Sequence, residues 1–326
     1  MTARTATHSQ AARPAEQDLA DIDRLVQRMR ANERRAISRA VTELERLSPA
    51  APRLLKALQP YLGHAIVIGI TGPPGAGKST LVNAYIGHLR QQGKSIGIIA
   101  VDPSSPISGG AILGDRVRMT ATLDDDAVFM RSLASRGHLG GLSPAAVRII
   151  DAFDGAGKDV ILLETVGTGQ SEIDVAEVAD VRVVISAPGL GDDIQAMKAG
   201  LLEIADVMVV NKADRDGADR TMHQLIGALA LRPGARGKVP VLKTTATTGE
   251  GVAELAAAIL SAGQARIAEP AAVRRRRRAR YLIARAAADL VAARVKDGQG
   301  RKLDTLADSV LGGELSPADA AQKLLG

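Results

Sequence analysis

A lysine and a hydroxyl stand directly behind a run of glycines in Gly72-Pro-Pro-Gly-Ala-Gly-Lys-Ser79, a pattern suited to holding a chain of phosphates. Glycines let the backbone turn its N–H groups inward. The amides of Gly75, Ala76, Gly77, Lys78, Ser79 and Thr80 are therefore candidates for the phosphate oxygens, backed by the dipole of a following helix. Lys78 is suited to neutralise the β- and γ-phosphates, and Ser79 to give its hydroxyl to Mg²⁺. A plain glycine-rich turn is the competing reading. The complete motif, preceded by the apolar run Ala65 to Ile70 and followed by a helical pattern from Leu81, outweighs it.

A second group reads a base. Asn211-Lys212-Ala213-Asp214 follows the apolar run ending at Val210. Asp214 can accept hydrogen bonds from N1–H and N2–H₂ of guanine, a donor pair that adenine lacks. One βα unit later, Thr245, Ala246 and Thr247 can back the base with main-chain N–H groups. Alone, the tetrapeptide is also an ordinary turn after a strand. With the phosphate loop and the second segment at the right distance, it points to GTP or GDP as ligand.

Three carboxylates compete for the metal. Asp102 ends an apolar run, Asp115 lies in Ser108-Gly-Gly-Ala-Ile-Leu-Gly-Asp115, and Glu164 ends the run that starts at Val160. Mg²⁺ takes such oxygen ligands, often partly through water. An Asp after a strand is also a common cap, so residue type leaves both roles open for Asp102 and Asp115. Glu164 is one methylene longer than the usual Asp, which suits contact through a bound water or from a different strand position.

These side chains need a scaffold that brings strand ends together. Seven short apolar runs (Ala65 to Ile70, Ser95 to Val101, Ala127 to Met130, Val160 to Leu163, Val181 to Ser186, Val207 to Val210, Val239 to Leu242) alternate with helix-length segments. That rhythm predicts an α/β, P-loop NTPase fold with a mostly parallel, doubly wound sheet. Apolar spacings of three and four from Leu19 predict an N-terminal helical extension. An Ala- and Arg-rich stretch after Ala262 predicts a C-terminal helical arm, broken at Asp297-Gly-Gln-Gly300. Ser316-Pro-Ala-Asp319 reads as the capped start of a last helix. The expected division is a disordered tail 1–16, helices 17–62, a nucleotide-binding core 63–262 and an arm 263–326.

Composition narrows the class. The chain of 326 residues has no Cys and only five His, so thiolate metal sites and disulfides are excluded. It shows no uncharged apolar stretch of about 18 residues and no secretory-type N-terminus, which points to a cytoplasmic protein without a membrane role. The net charge of +6 owes much to Arg274 to Arg278. Such a run invites a nucleic-acid reading. With two Phe, three Tyr and no Trp in the chain there is little to stack on bases, so the expectation is a solvated or subunit-interface helix and no nucleic-acid partner.

Several segments together carry a family resemblance. Leu163-Glu-Thr-Val-Gly-Thr-Gly-Gln-Ser-Glu172, Asp102-Pro-Ser-Ser-Pro106, Arg136-Gly-His-Leu-Gly-Gly-Leu-Ser143 and Pro188-Gly-Leu-Gly-Asp-Asp-Ile-Gln195 closely resemble the MeaB/ArgK/MMAA family. Its members are P-loop GTPases that act as chaperones of adenosylcobalamin-dependent methylmalonyl-CoA mutase. The resemblance covers nearly the whole chain. It implies that Glu164 is the normal residue at the Walker-B-like position, with Asp102 and Asp115 as its partners and those of Ser79 around Mg²⁺. It also implies slow GTP hydrolysis that a mutase accelerates, with Lys78, Glu164 and, as a candidate for handling water, Gln170 in catalysis. Asp192, Gln195 and Lys198 match a switch region that couples nucleotide state to the mutase; on spacing alone they read as the polar face of a helix. The family's C-terminal arm implies a homodimer. Two departures are Thr168, where relatives often have Val, and the density of the Arg run.

Two other function classes compete. A nickel or zinc metallochaperone is disfavoured by the lack of Cys and of a His-rich tract. A kinase-like phosphotransferase would need a hydroxyl acceptor and a base to activate it, and no such base is evident. A signal-recognition-type GTPase would need a Met-rich domain, which seven Met do not supply.

Overall fold

The computed structural model describes residues 12–102, 125–134, 142–165, 171–190, 200–231, 239–297 and 300–325. Seven strands form one sheet in the order β3-β2-β4-β1-β5-β6-β7, and every pairing is parallel. They are β1 (Ile66–Thr71), β2 (Ile96–Asp102), β3 (Val128–Ala134), β4 (Val160–Thr165), β5 (Val181–Ser186), β6 (Val207–Asn211) and β7 (Val241–Thr244). All seven expected runs are strands, and the doubly wound sheet stands as expected. Burial explains their composition: β4 is buried along its whole length, so Val, Ile and Leu need not alternate with polar residues.

In chain order, α1 (Ala12–Arg30), α2 (Arg34–Arg46) and α3 (Ala51–Leu58) precede the sheet. Helix α1 thus begins within the stretch 1–16. Next come α4 (Lys78–Gln91), α5 (Pro144–Gly155), α6 (Ser171–Val178), the single turn α7 (Leu201–Ile204), α8 (Ala218–Ala230) and α9 (Val252–Ile267). The chain closes with α10 (Ala271–Asp297), α11 (Gly300–Leu311) and α12 (Pro317–Leu325). Two compact units are distinguished, 1–275 and 276–326. In the second, the Ser316 hydroxyl accepts from the Asp319 amide at 3.1 Å and donates to its carboxylate at 2.7 Å, the capped helix start read from the sequence. Among the described residues, no helix is long and apolar enough to cross a membrane.

β1 lies between β4 and β5. The chain leaves β1 for β2 on one side and returns from β4 to β5 on the other, so the connections diverge at β1. A crevice opens at such a switch point, beyond the C-terminal strand ends. Close packing keeps the helices on the sheet. A Cβ on Gly69 would come within 2.1 Å of Val175 in α6, and one on Gly97 within 2.5 Å of Phe153 in α5.

The N-terminal layer buries Met29, Ile37, Val41, Leu44, Leu54 and Leu58 completely or nearly so. Polar groups lock it down. Lys158 Nζ donates to Asn32 Oδ1 at 2.8 Å and to Ala127 O at 3.1 Å, and Arg131 Nε donates to Glu45 at 2.9 Å. Burial, with the Arg34 and Arg90 charges beside it, lowers the Lys158 ammonium to about 8.

The arginine run departs from expectation at its first residue. Arg274 is buried, donates to Gly63 O at 2.6 Å and Ala65 O at 3.2 Å, and lies 3.4 Å from the buried carboxylate of Asp180. That carboxylate also accepts from the Val67 amide of β1 at 2.9 Å. Arg274 is thus an internal strut at the foot of β1. The periodicity of a helix separates neighbours within the run: Arg274 is buried, while Arg276 is exposed.

Candidate functional site

The crevice beyond β1 is built by backbone first. Gly72 has φ +145°, and a Cβ there would lie 2.0 Å from Ile185 O, so only glycine lets the chain pass the end of β5. Gly77 begins α4 with φ +85°, and its Cβ would sit 2.5 Å from Asn211 Nδ2. The loop between them is closed by the amide of Ala76 on Pro73 O at 3.3 Å. Lys78, 8% exposed, reaches back with Nζ to Gly72 O at 2.8 Å and Pro73 O at 3.0 Å. Its ammonium is thereby held over the loop.

Glu164 is in β4, in register with Ile70 of β1 on one side and Ala100 of β2 on the other. It is 3% exposed, and its Oε1 accepts from the Ser79 hydroxyl at 2.7 Å. A residue 85 positions away in sequence thus meets the first turn of α4. Next to it, the Thr165 hydroxyl donates to the Thr71 hydroxyl at 3.0 Å and ties the ends of β4 and β1. Sequence reasoning missed this pair; the available signal was a threonine at the last position of two central strands. Asp102 ends β2 in register with Ala134. Its side chain lies outside the described residues, as do Asp115, Gln170, Asp192, Gln195 and Lys198.

The segments expected to read the base meet the loop from the other side. Asn211 ends β6 and is buried. Its Nδ2 donates to Ala76 O at 2.9 Å, and its Oδ1 accepts from the Thr244 hydroxyl at 3.1 Å and the Ala246 amide at 3.2 Å. One side chain therefore joins the phosphate loop to the segment after β7. Thr244 lies in the expected run Lys243 to Thr247, but the bond of its hydroxyl to Asn211 was missed in the sequence. Lys212 adopts φ +57°, rare for a side chain other than glycine, and its Nζ donates to Gly75 O at 2.7 Å. The Thr245 amide bonds Glu250 O at 3.0 Å, which closes the turn 245–250. Asp214 and Thr247 are exposed at the rim of this arrangement.

The pieces brought together are a lysine-capped loop, a hydroxyl beside a buried carboxylate, and an asparagine-centred brace carrying Asp214. Ser79 and Glu164 offer hard oxygens side by side, a donor set that fits Mg²⁺. Among the described residues, no group of three or more His, Cys, Asp and Glu could hold a metal ion.

Comparison with known proteins agrees with this geometry. The sequence profile described as "Methylmalonyl Co-A mutase-associated GTPase MeaB" matches residues 37–300. The Pyrococcus horikoshii protein PH0274 is 50% identical over 72% of this chain and 75% of its own length. The GTPase ArgK of Escherichia coli strain K12 is 44% identical over 59% of each chain. The mitochondrial methylmalonic aciduria type A homolog of Mus musculus is 39% identical over 58% of this chain and 46% of its own. Among solved structures, that of LAO/AO transport system kinase superposes with a TM-score of 0.75 at 28% identity, over 94% of this chain and 96% of the other. These similarities do not favour the metallochaperone or phosphotransferase readings. With its P-loop, its Asn-Lys-Ala-Asp brace and a profile match over most of its length, the chain belongs to the methylmalonyl-CoA mutase-associated GTPase family MeaB.

Proposed function

We propose that this protein is a GTP-hydrolysing chaperone that assembles with an adenosylcobalamin-dependent acyl-CoA mutase, methylmalonyl-CoA mutase first among them, and gates the loading of its cofactor. The observation that supports it most directly is the Ser79–Glu164 hydrogen bond, which joins the P-loop to β4, the strand that leads into the family-like run Leu163 to Glu172. The family description, which carries the mutase association in its name, points the same way.

In this reading the amides of Gly75 to Thr80 cradle the phosphates of GTP. Lys78 exchanges the carbonyls of Gly72 and Pro73 for β- and γ-phosphate oxygens, and so holds positive charge where negative charge gathers during transfer to water. Ser79, Glu164, Asp102 and Asp115 would hold Mg²⁺, which when bound neutralises phosphate charge. Asp214 selects guanine, with the segment Thr245 to Thr247 behind the base. Gln170 handles the water, and Asp192, Gln195 and Lys198 pass the nucleotide state to the partner. Hydrolysis is slow alone and faster with the mutase. The protein acts in the cytoplasm as a homodimer through the arm 263–326, where Ile283, Leu290 and Leu311 are exposed apolar side chains.

The test is co-purification of the protein with cobalamin-dependent mutases in the presence of GDP, a non-hydrolysable GTP analogue or no nucleotide, together with GTP turnover. A nucleotide-dependent complex and faster turnover are expected. Absence of a complex in all three states, with unchanged turnover, would sink the chaperone reading while leaving the GTPase site standing.

A further inference from the structure

At the end of the sheet opposite the P-loop lies a cavity of about 970 Å³. It opens beside the first residues of β1 and β4, between the later turns of α4 and one face of α9. Helix rise places these turns roughly 10–20 Å from Lys78. None of its walls belongs to the nucleotide site.

Its chemistry is mixed in a definite way. Ile66, Ile68, Leu89, Ala256 and Ile259 make an apolar floor, and Leu260, 58% exposed, extends it toward the mouth. Volume and lining of this kind suit a small organic molecule. Tyr85 lines the cavity at 4% exposure, and its hydroxyl makes no hydrogen bond among the described residues. Burial raises its pKa, so it remains an O–H donor at any physiological pH.

The charge around the cavity is unbalanced. Its carboxylates, Asp154 and Asp159, are taken up by their own surroundings. Asp154 accepts from the amides of Gly63, His64 and Ala65 at 2.5, 3.0 and 2.9 Å, and Asp159 from Ser95 N and Oγ, both at 2.7 Å. Lys158 is committed to Asn32 and Ala127, yet adds its charge through space. Arg30 and Lys94 make no salt bridge among the described residues; the Arg30 guanidinium lies over the Tyr61 ring, 4.1 Å from its centroid. Donors and positive charge are thus on offer, while both carboxylates already accept hydrogen bonds from the protein.

We propose that this cavity is a binding site for an amphipathic organic anion, its apolar body on the floor of β1, α4 and α9 and its carboxylate or phosphate facing Tyr85, Arg30 and Lys94. With three cations, Arg30, Lys94 and Lys158, against two carboxylates, Asp154 and Asp159, the lining favours an anion over a neutral molecule or a cation of the same shape. The site is independent of the proposed mutase partnership.

Decanoate, decanol and decyltrimethylammonium serve as anionic, neutral and cationic probes of one apolar body, titrated calorimetrically into the full-length protein. Decanoate is expected to bind at least tenfold more tightly than either of the others. The double reversal Arg30→Glu with Lys94→Glu should weaken decanoate at least tenfold, and Ala257→Trp, on the exposed wall of α9, should block it. Thermal unfolding checks that each variant is folded, and if Ala257→Trp is not, the charge reversal decides alone. Failure of decanoate to bind overturns the proposal, as does equal binding of decanol or undiminished binding to the reversed variant.

Discussion

The Ser79 hydroxyl donates to Glu164 Oε1 at 2.7 Å, joining the first turn after the P-loop to the central strand β4. Neither oxygen reaches far into solvent: Glu164 is 3% exposed, and Ser79 is partly buried. A hydroxyl and a carboxylate so placed offer a hard cation two oxygens side by side. The extra methylene of Glu relative to Asp is used in reaching across from β4.

Removing either oxygen should therefore show in the metal dependence of turnover. Ser79→Ala and Glu164→Gln are each expected to lower GTP hydrolysis about 10–100-fold and to raise the Mg²⁺ concentration required. GTPase assays across a Mg²⁺ titration check this. A wild-type requirement in both variants would remove the pair from the metal site.

Asp214→Asn should change which base is accepted. The variant puts an NH₂ donor where guanine presents its own N2–H₂, so GTP affinity is expected to fall about 100-fold or more. Xanthosine triphosphate, with an oxygen acceptor at C2, should bind the variant better than GTP does. Competition against a fluorescent guanine nucleotide measures both.

Arg274 and Arg276 should behave differently although the sequence makes them look alike. Arg274→Met removes the guanidinium that lies 3.4 Å from the buried Asp180 carboxylate, at a cost of about 3–5 kcal/mol. Arg276 is exposed, and Arg276→Met should stay within about 0.5 kcal/mol of the parent. Urea unfolding of the two variants separates them; equal stability would contradict the strut.

Lys158 gives a pH signature. Its folded pKa, about 8, lies below the unfolded value of 10.5, so between these values the unfolded chain binds more protons. Stability therefore rises with pH across that window, while below about 8 both forms are protonated and the full penalty of burying the charge is felt. Relative to Lys158→Met, the wild-type protein should gain on the order of 2 kcal/mol from pH 7.5 to pH 10.5. Taking the difference cancels other groups that titrate in that range. Unfolding curves that shift in parallel would contradict the assignment.

Much of the site was legible because its signals are local. The P-loop is eight consecutive residues whose glycines are demanded by φ +145° at Gly72 and φ +85° at Gly77. The strands announced themselves because a sheet covered on both faces selects unbroken Val and Ile. Asn211 to Asp214 was readable because it follows such a run. Legibility ended where the meaning of a residue depends on what faces it. That Asn211 braces Ala76, Thr244 and Ala246 at once is a matter of three strand ends converging.

By itself, then, the sequence determined the parallel α/β sheet, the P-loop and the family, since each rests on spacing within a short segment. Tertiary structure alone decided that Glu164 meets Ser79, that the first of five identical arginines is an internal strut, and that residues from Arg30 to Leu260 enclose a second cavity. The reason is physical: hydrogen bonds, ion pairs and burial act through a few ångströms of space, and the fold chooses which distant residues share it.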